Sequence, residues 1–156
     1  MSGDSMKRTD RLEMVKKVVD DLERRKAEAL AACERRVNES ETKLTELETY
    51  RAGYVRDFAL RAQAGMSGAS ARDYQVFLSR LDEALRQQAQ AVIGTRAQRD
   101  AELQNWQDAA QRADAIGHTV KRWQSEELRL LERREQHESD ERSQRIWAQG
   151  LVTHGA

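Results

Sequence analysis

The sequence contains no proline. At an ordinary usage of about 5%, a chain of this length would carry roughly eight. Sandwiches, barrels and other loop-rich folds use proline in turns and on sheet edges, so its absence argues against them. Aromatic residues are scarce at 5%, which is too few for a thick, closely packed core. A single cysteine, Cys33, excludes an internal disulfide, and no Cys/His grouping has the spacing of a zinc site. The chain reads as a resident of a reducing, cytoplasmic compartment. No run approaches the ~18–20 apolar residues of a membrane span, so direct membrane insertion is not expected. The opening MSGDSMKRTD lacks the apolar stretch of a secretory signal. Lys plus Arg total 27 and Asp plus Glu total 27, for a formal net charge of +0. That balance exerts no general pull on nucleic acid or an anionic membrane, so no nucleic-acid partner is expected.

What is present is charge and periodicity. Charged residues make up 35% and hydrophobic residues 38%. Low hydrophobicity invites disorder, but neutral net charge and a regular apolar spacing favour long, solvated helices. One interruption stands out, Gly65-Met66-Ser67-Gly68-Ala69-Ser70. Glycine supplies the positive φ that stops a helix. Ser70 followed by Asp73 resembles a capping-box start. The expected organisation is one coiled-coil domain over 1–156. It comprises a first helix at about 8–64, a loop at about 65–69, a second helix at about 70–147 and a frayed tail at 148–156.

In the first helix the apolar seam is Leu12, Val15, Val19, Leu22, Ala29, Cys33, Val37, Ser40, Leu44, Leu47, Tyr54 and Phe58, with Lys26 as an interruption. The successive four-residue steps Ala29–Cys33–Val37 predict a stutter. In the second helix the stripe is Tyr74, Phe77, Leu81, Ala84, Val92, Leu103, Trp106, Ala113, Ile116, Val120, Trp123 and Leu130. The other faces are charged, as the flanks of a coiled coil should be. A short loop between long helices predicts an all-α fold, a long antiparallel two-helix coiled-coil hairpin whose second helix is the longer. Counting from the loop places Phe58 near Phe77 and Tyr54 near Leu81. At 1.5 Å per residue the helices would be roughly 85 Å and 115 Å long, leaving an overhang of about 30 Å. It covers approximately Leu128 to Trp147. That overhang is so polar that i,i+4 charge pairs or a partner must support it. Gly53, Gly94 and Gly117 fall inside the helices, either as tolerated imperfections or as points of close approach or local bending.

Catalytic constellations are missing. There is no phosphate-binding glycine loop and no HExxH, and His118, His137 and His154 lack ligand spacing. Carboxylates occur everywhere in a charge-rich coil, so pairing any two of them carries no information. The expectation is a protein that is not an enzyme and takes no cofactor and no metal. Cys33 reads as a small core residue. Trp106 and Trp123 lie on the stripe, whereas Trp147 lies beyond the paired region and suits partner contact. Tyr50 is one position off the Leu47–Tyr54 register, which turns it toward the flank, where half-exposed aromatics act as binding anchors.

Two motifs resemble a known family. Leu44-x-x-Leu47-x-x-Tyr50-Arg51-x-x-Tyr54 resembles the first-helix signature of the flagellar export protein family FliJ. Tyr74-x-x-Phe77-Leu78-x-x-Leu81-x-x-Ala84-Leu85 resembles its second-helix signature. Trp106 and Glu135-Gln136-x-x-x-Asp140-Glu141 also fit, and the resemblance spans roughly 8–145. It implies a cytoplasmic component of the flagellar type III export apparatus, peripherally associated at the inner membrane. Its coiled coil would be similar to the γ subunit of rotary ATPases. The implied partners are a FliI-like export ATPase, the cytoplasmic domain of a FlhA-like export gate, and substrate chaperones. The gate-facing residues implied are Leu47, Tyr50, Tyr54, Phe77, Leu81 and Ala84, with Lys43 and Gln88 on the flank. The ATPase-facing residues implied are Arg8, Arg11, Leu12, Glu135, Asp140, Glu141 and Arg142. In isolation a monomer is expected. The competing readings are the stalk of a virulence type III secretion system and a generic self-associating coiled-coil scaffold.

Overall fold

The structure, a computed structural model, describes the backbone of residues 2–154 and the side chains of residues 8–151. Two helices account for nearly all of it, α1 (Ser2–Ala64) and α2 (Gly68–His154). Among the described residues there is no strand. The fold is the all-α hairpin expected, with the second helix the longer. Both helices outrun their predicted ends. α1 begins at Ser2 and α2 continues to His154, past the fraying expected from 148. Met1, Gly155 and Ala156 lie outside the described residues.

The turn is shorter than predicted. Gly65 has φ +104°, the left-handed conformation that terminates α1, and its N–H donates to the carbonyl of Ala62 at 3.3 Å. The N-cap of α2 is Ser67 and not Ser70. Ser67 Oγ accepts from the backbone N–H of Ser70 at 3.2 Å, and its carbonyl accepts the first helical bond, from Ala71, at 3.0 Å. The capping residue thus sits one turn earlier than the Ser70–Asp73 spacing suggested. With the turn centred on Met66, the pairing moves correspondingly. Phe58 meets Tyr74 and Tyr54 meets both Tyr74 and Phe77, in place of the expected Phe58–Phe77 and Tyr54–Leu81 contacts.

Contacts gather into two units, Glu23–Ala109 on the turn side and Met1–Leu22 with Ala110–Ala156 on the side of the termini. In the turn-side unit the seam of α1 runs Glu23, Lys26, Leu30, Cys33, Val37, Ser40, Leu44, Leu47, Arg51, Tyr54 and Phe58, all buried or half-buried. The steps alternate three and four without a break. Leu30 occupies the position before Cys33, so the expected stutter is absent. Apolar residues alone suggested one because charged side chains hold several seam positions. α2 answers with Tyr74, Leu78, Leu81, Leu85, Gln88, Val92, Thr95, Arg99, Glu102, Trp106 and Ala109. Antiparallel pairing is fixed by ties such as Arg51–Asp82 at 2.5 Å and Arg96–Glu41 at 2.8 Å. The polar seam residues are mostly satisfied. Ser40 Oγ meets Thr95 Oγ1 at 2.8 Å, and the indole N–H of Trp106 donates to Glu23 at 2.8 Å. Glu102 differs, because its buried Oε2 has no hydrogen-bond partner.

In the termini-side unit the same three-four rule gives Thr9, Leu12, Lys16 and Val19 against Ala113, Ile116, Val120, Trp123 and Glu127. Here Lys16 replaces the predicted Val15, which is 44% exposed. The ammonium of Lys16 reaches Asp20 on its own helix at 2.9 Å while its stem lies along the seam. A Cβ at Gly117 would stand 4.0 Å from Lys16 Cε, ordinary van der Waals contact, so the stem does not require glycine there. Thr9 donates to Glu127, and Gln124 donates to Glu13 at 3.2 Å, so this pair of segments is antiparallel too. Beyond Glu127 every described side chain of α2, through Leu151, is exposed.

Candidate partner-binding surfaces

The first surface lies beside the turn. Tyr50, Tyr54 and Phe58 recur every four residues and share a stripe of α1; Tyr74 and Phe77 are three apart on α2. The five rings touch in series. Tyr50–Tyr54 and Tyr50–Phe77 are 6.5 Å apart, Tyr54–Phe77 4.7 Å, Tyr54–Tyr74 4.9 Å and Phe58–Tyr74 5.1 Å. Such pairs contribute about 0.5–1.5 kcal/mol each beyond their burial. The chain has three tyrosines and two phenylalanines, so this one cluster takes them all. The guanidinium of Arg61 lies 5.9 Å from the Tyr74 ring centre. Partial desolvation and the neighbouring Tyr74 raise the Tyr54 phenol above its ordinary value, so it stays neutral at physiological pH.

The cluster is not sealed. Tyr50 is 56% exposed and Phe77 36%, so both offer ring faces to solvent. Tyr50 also borders a recess of about 400 Å³ with Lys43, Glu46, Leu47 and Gln88. Gln88 is held there by donating to the Ser40 carbonyl at 2.9 Å. The sequence-predicted residues Lys43, Leu47, Tyr50, Tyr54, Phe77 and Gln88 are therefore brought together. Ala84 lies half-buried between Leu81 and Gln88 on α2. Leu81 is only 7% exposed, so it supports the surface from beneath and offers little area to a partner. Sequence reasoning passed over Phe58 and Tyr74 as site residues, although both stood on the predicted seam or motif.

The second surface lies in the termini-side unit and is dispersed. The Arg8 guanidinium stacks over Trp123 at 4.7 Å. Both line a small recess of about 80 Å³ with Thr9, Glu126, Glu127 and Leu130. Arg11 is exposed and Leu12 half-buried. Glu135, Asp140, Glu141 and Arg142 are all exposed on the overhang. They are stitched along the helix, not gathered with Arg8 and Leu12. Gln136 reaches Asp140 at 3.5 Å, Arg142 lies 3.9 Å from Glu138, and Glu141 faces His137 at 3.2 Å and Arg145 at 3.6 Å. Three exposed apolar side chains follow, Ile146, Trp147 and Leu151. Among the described residues no group of three or more His, Cys, Asp or Glu side chains is placed to hold a metal ion.

Two long helices, a ring cluster by the turn and an uncovered charged helix beyond the pair were all drawn into the resemblance noted from the sequence. Comparison with protein-family models matches residues 6–151 to the family described as flagellar FliJ protein. The chain belongs to the FliJ family. FliJ-family membership makes it a component of the flagellar type III export apparatus. No curated protein and no solved structure gave a match. In this FliJ-family chain, no helix of the described residues is long and apolar enough to cross a membrane.

Proposed function

We propose that the chain is a non-catalytic central-stalk and escort component of the export apparatus. In this reading it couples the export ATPase ring to the export gate, contacts substrate chaperones, and associates peripherally at the inner membrane. Chemistry on ATP belongs to the partner. The observation that carries the reading is the concentration of every tyrosine and phenylalanine in one cluster whose outer rings remain exposed. Rings serving stability alone would be turned inward; Tyr50 and Phe77 instead stay exposed, and Tyr50 borders a recess suited to an anchor side chain. We assign that surface to the gate, with Leu47, Tyr50, Tyr54, Phe77 and Ala84 in or beside the contact, Lys43 and Gln88 on its rim and Leu81 beneath. We assign Arg8, Arg11, Leu12 and the Glu135–Arg142 stretch to the ATPase.

The test is a binding assay with purified gate domain and export ATPase. Tyr50→Ala with Tyr54→Ala should weaken gate binding and motility while helicity by circular dichroism stays near that of the parent. Truncation after Glu127 should impair stimulation of the ATPase and spare gate binding. Gate binding unaffected by the tyrosine variant would refute the first assignment, and unchanged stimulation would refute the second.

A further inference from the structure

The overhang of α2 carries a pattern that its own hairpin does not use. Leu128, Leu131 and Ile146 are 61%, 53% and 69% exposed. Steps of three and four place them on one helical face with Glu135, Arg142 and Gln149. That face carries Leu128 and Leu131 at one end, Ile146 followed by Gln149 at the other, and charge in the middle. Its order reverses about the point between Glu138 and Ser139. Turned end for end, Leu131 falls opposite Ile146, and Glu135 falls opposite Arg142. Arg134 and Glu141, on one flank, also exchange places to within a residue or two.

We propose that this face is a self-recognition surface through which two copies of the chain pair antiparallel about a two-fold axis. Leu131 of one copy packs on Ile146 of the second copy, and Glu135 faces Arg142 of the second copy. The two-fold makes each contact occur twice, as an isologous interface requires. The charges also select direction. Parallel pairing in register would set Glu135 against Glu135 and Arg142 against Arg142, whereas antiparallel pairing makes both contacts attractive. Few aliphatic side chains are involved and the ion pairs border solvent, so association is weak and the chain is monomeric when dilute. This stretch is also the one assigned above to the export ATPase. Self-paired and ATPase-bound forms are then alternatives, a consequence that rests on that assignment; the pairing itself does not.

Sedimentation equilibrium of the full chain without partners tests the proposal. The apparent mass should climb from that of one chain, 17.9 kDa, towards twice that value as concentration rises. Glu135→Arg should weaken association by about tenfold or more. Combining Glu135→Arg with Arg142→Glu should restore it, because unlike charges again face each other. Residues seven apart are too distant to pair within one helix, so recovery cannot come from inside a single copy. Leu131→Asp should abolish association while helicity by circular dichroism is retained. Direction is read by mixing Leu131→Cys and Ile146→Cys chains, each also carrying Cys33→Ser. A disulfide between the two kinds of chain is expected under mild oxidation. A chain that stays monomeric at all concentrations would overturn the proposal. So would association indifferent to Glu135→Arg, failure of the double swap to restore it, or cross-linking of Leu131→Cys chains only to one another.

Discussion

The stretch of α2 beside the turn and the stretch beyond Glu127 are one continuous helix held by different forces. Beside the turn, Leu81 and Val92 are 7% and 3% exposed, and burial against α1 supplies the stability. Beyond Glu127 no described side chain is buried, and the helix is laced by pairs such as Arg142–Glu138 and Arg145–Glu141. Each such pair contributes only about 0.2–0.5 kcal/mol. The first region has a fixed partner and spends its aromatic residues on a surface above it. The second leaves every described side chain exposed. The same secondary structure therefore supports a preformed surface at one end and an adaptable one at the other.

The largest expected effect breaks this contrast directly. Leu81→Ala should lower unfolding free energy by about 2–3 kcal/mol in urea titrations, whereas Trp147→Ala should change it by less than about 0.5 kcal/mol. Equal effects would mean that the overhang is packed after all. Next comes the seam's unsatisfied oxygen. Glu102→Leu replaces a buried, unpartnered carboxylate oxygen with an aliphatic side chain and should raise stability by about 1–2 kcal/mol, read as a higher thermal midpoint. Gly53→Ala should add about 1 kcal/mol, since Gly53 is inside α1 and an added Cβ meets nothing within 4 Å. The smallest effect separates the regions by solvent alone. High salt should accelerate amide exchange in 132–145 more than in the turn-side seam, because screening weakens exposed pairs and leaves apolar burial intact.

The two helices, their unequal lengths and the exposed overhang were legible because each depends on patterns spread over many residues. The seam was legible only where it is apolar. Lys16, Glu23, Lys26, Arg51, Arg99 and Glu102 occupy seam positions that hydrophobicity cannot reveal. Their stems pack along the seam, and Lys16, Glu23 and Arg51 turn their heads to Asp20, Trp106 and Asp82, whereas Glu102 keeps one carboxylate oxygen buried and unpartnered. Apolar spacing alone therefore suggested a stutter between Ala29 and Val37, and Leu30 removes it. The N-cap shows a second limit. Ser67 and Ser70 both carry a suitable hydroxyl, and only the position of the left-handed Gly65 decides which of them caps α2.

At the turn, the motif Tyr50-Arg51-x-x-Tyr54 marked residues that the structure brings together, but not their depth. Spacing puts Tyr50 on the flank, and the structure agrees at 56% exposure. Leu81 carries the same motif weight yet lies beneath the surface, because it sits at a seam position and Tyr50 does not. At the other end, the resemblance grouped Arg8 and Leu12 with Glu135–Arg142. The structure separates them along α2, since Arg8 stacks over Trp123 while Glu135, Asp140, Glu141 and Arg142 lie exposed further along the helix.

The partition of ring types gives the molecule separate optical addresses. Every tyrosine and phenylalanine is in the cluster by the turn, while the tryptophans stand at 106, 123 and 147. Tyrosine absorbance therefore reports on the turn. Tryptophan emission reports on the remainder of α2, with Trp147 the most water-exposed of the three. A ligand arriving at the ring cluster and one arriving near Trp147 would each alter a different chromophore, without a label attached to either.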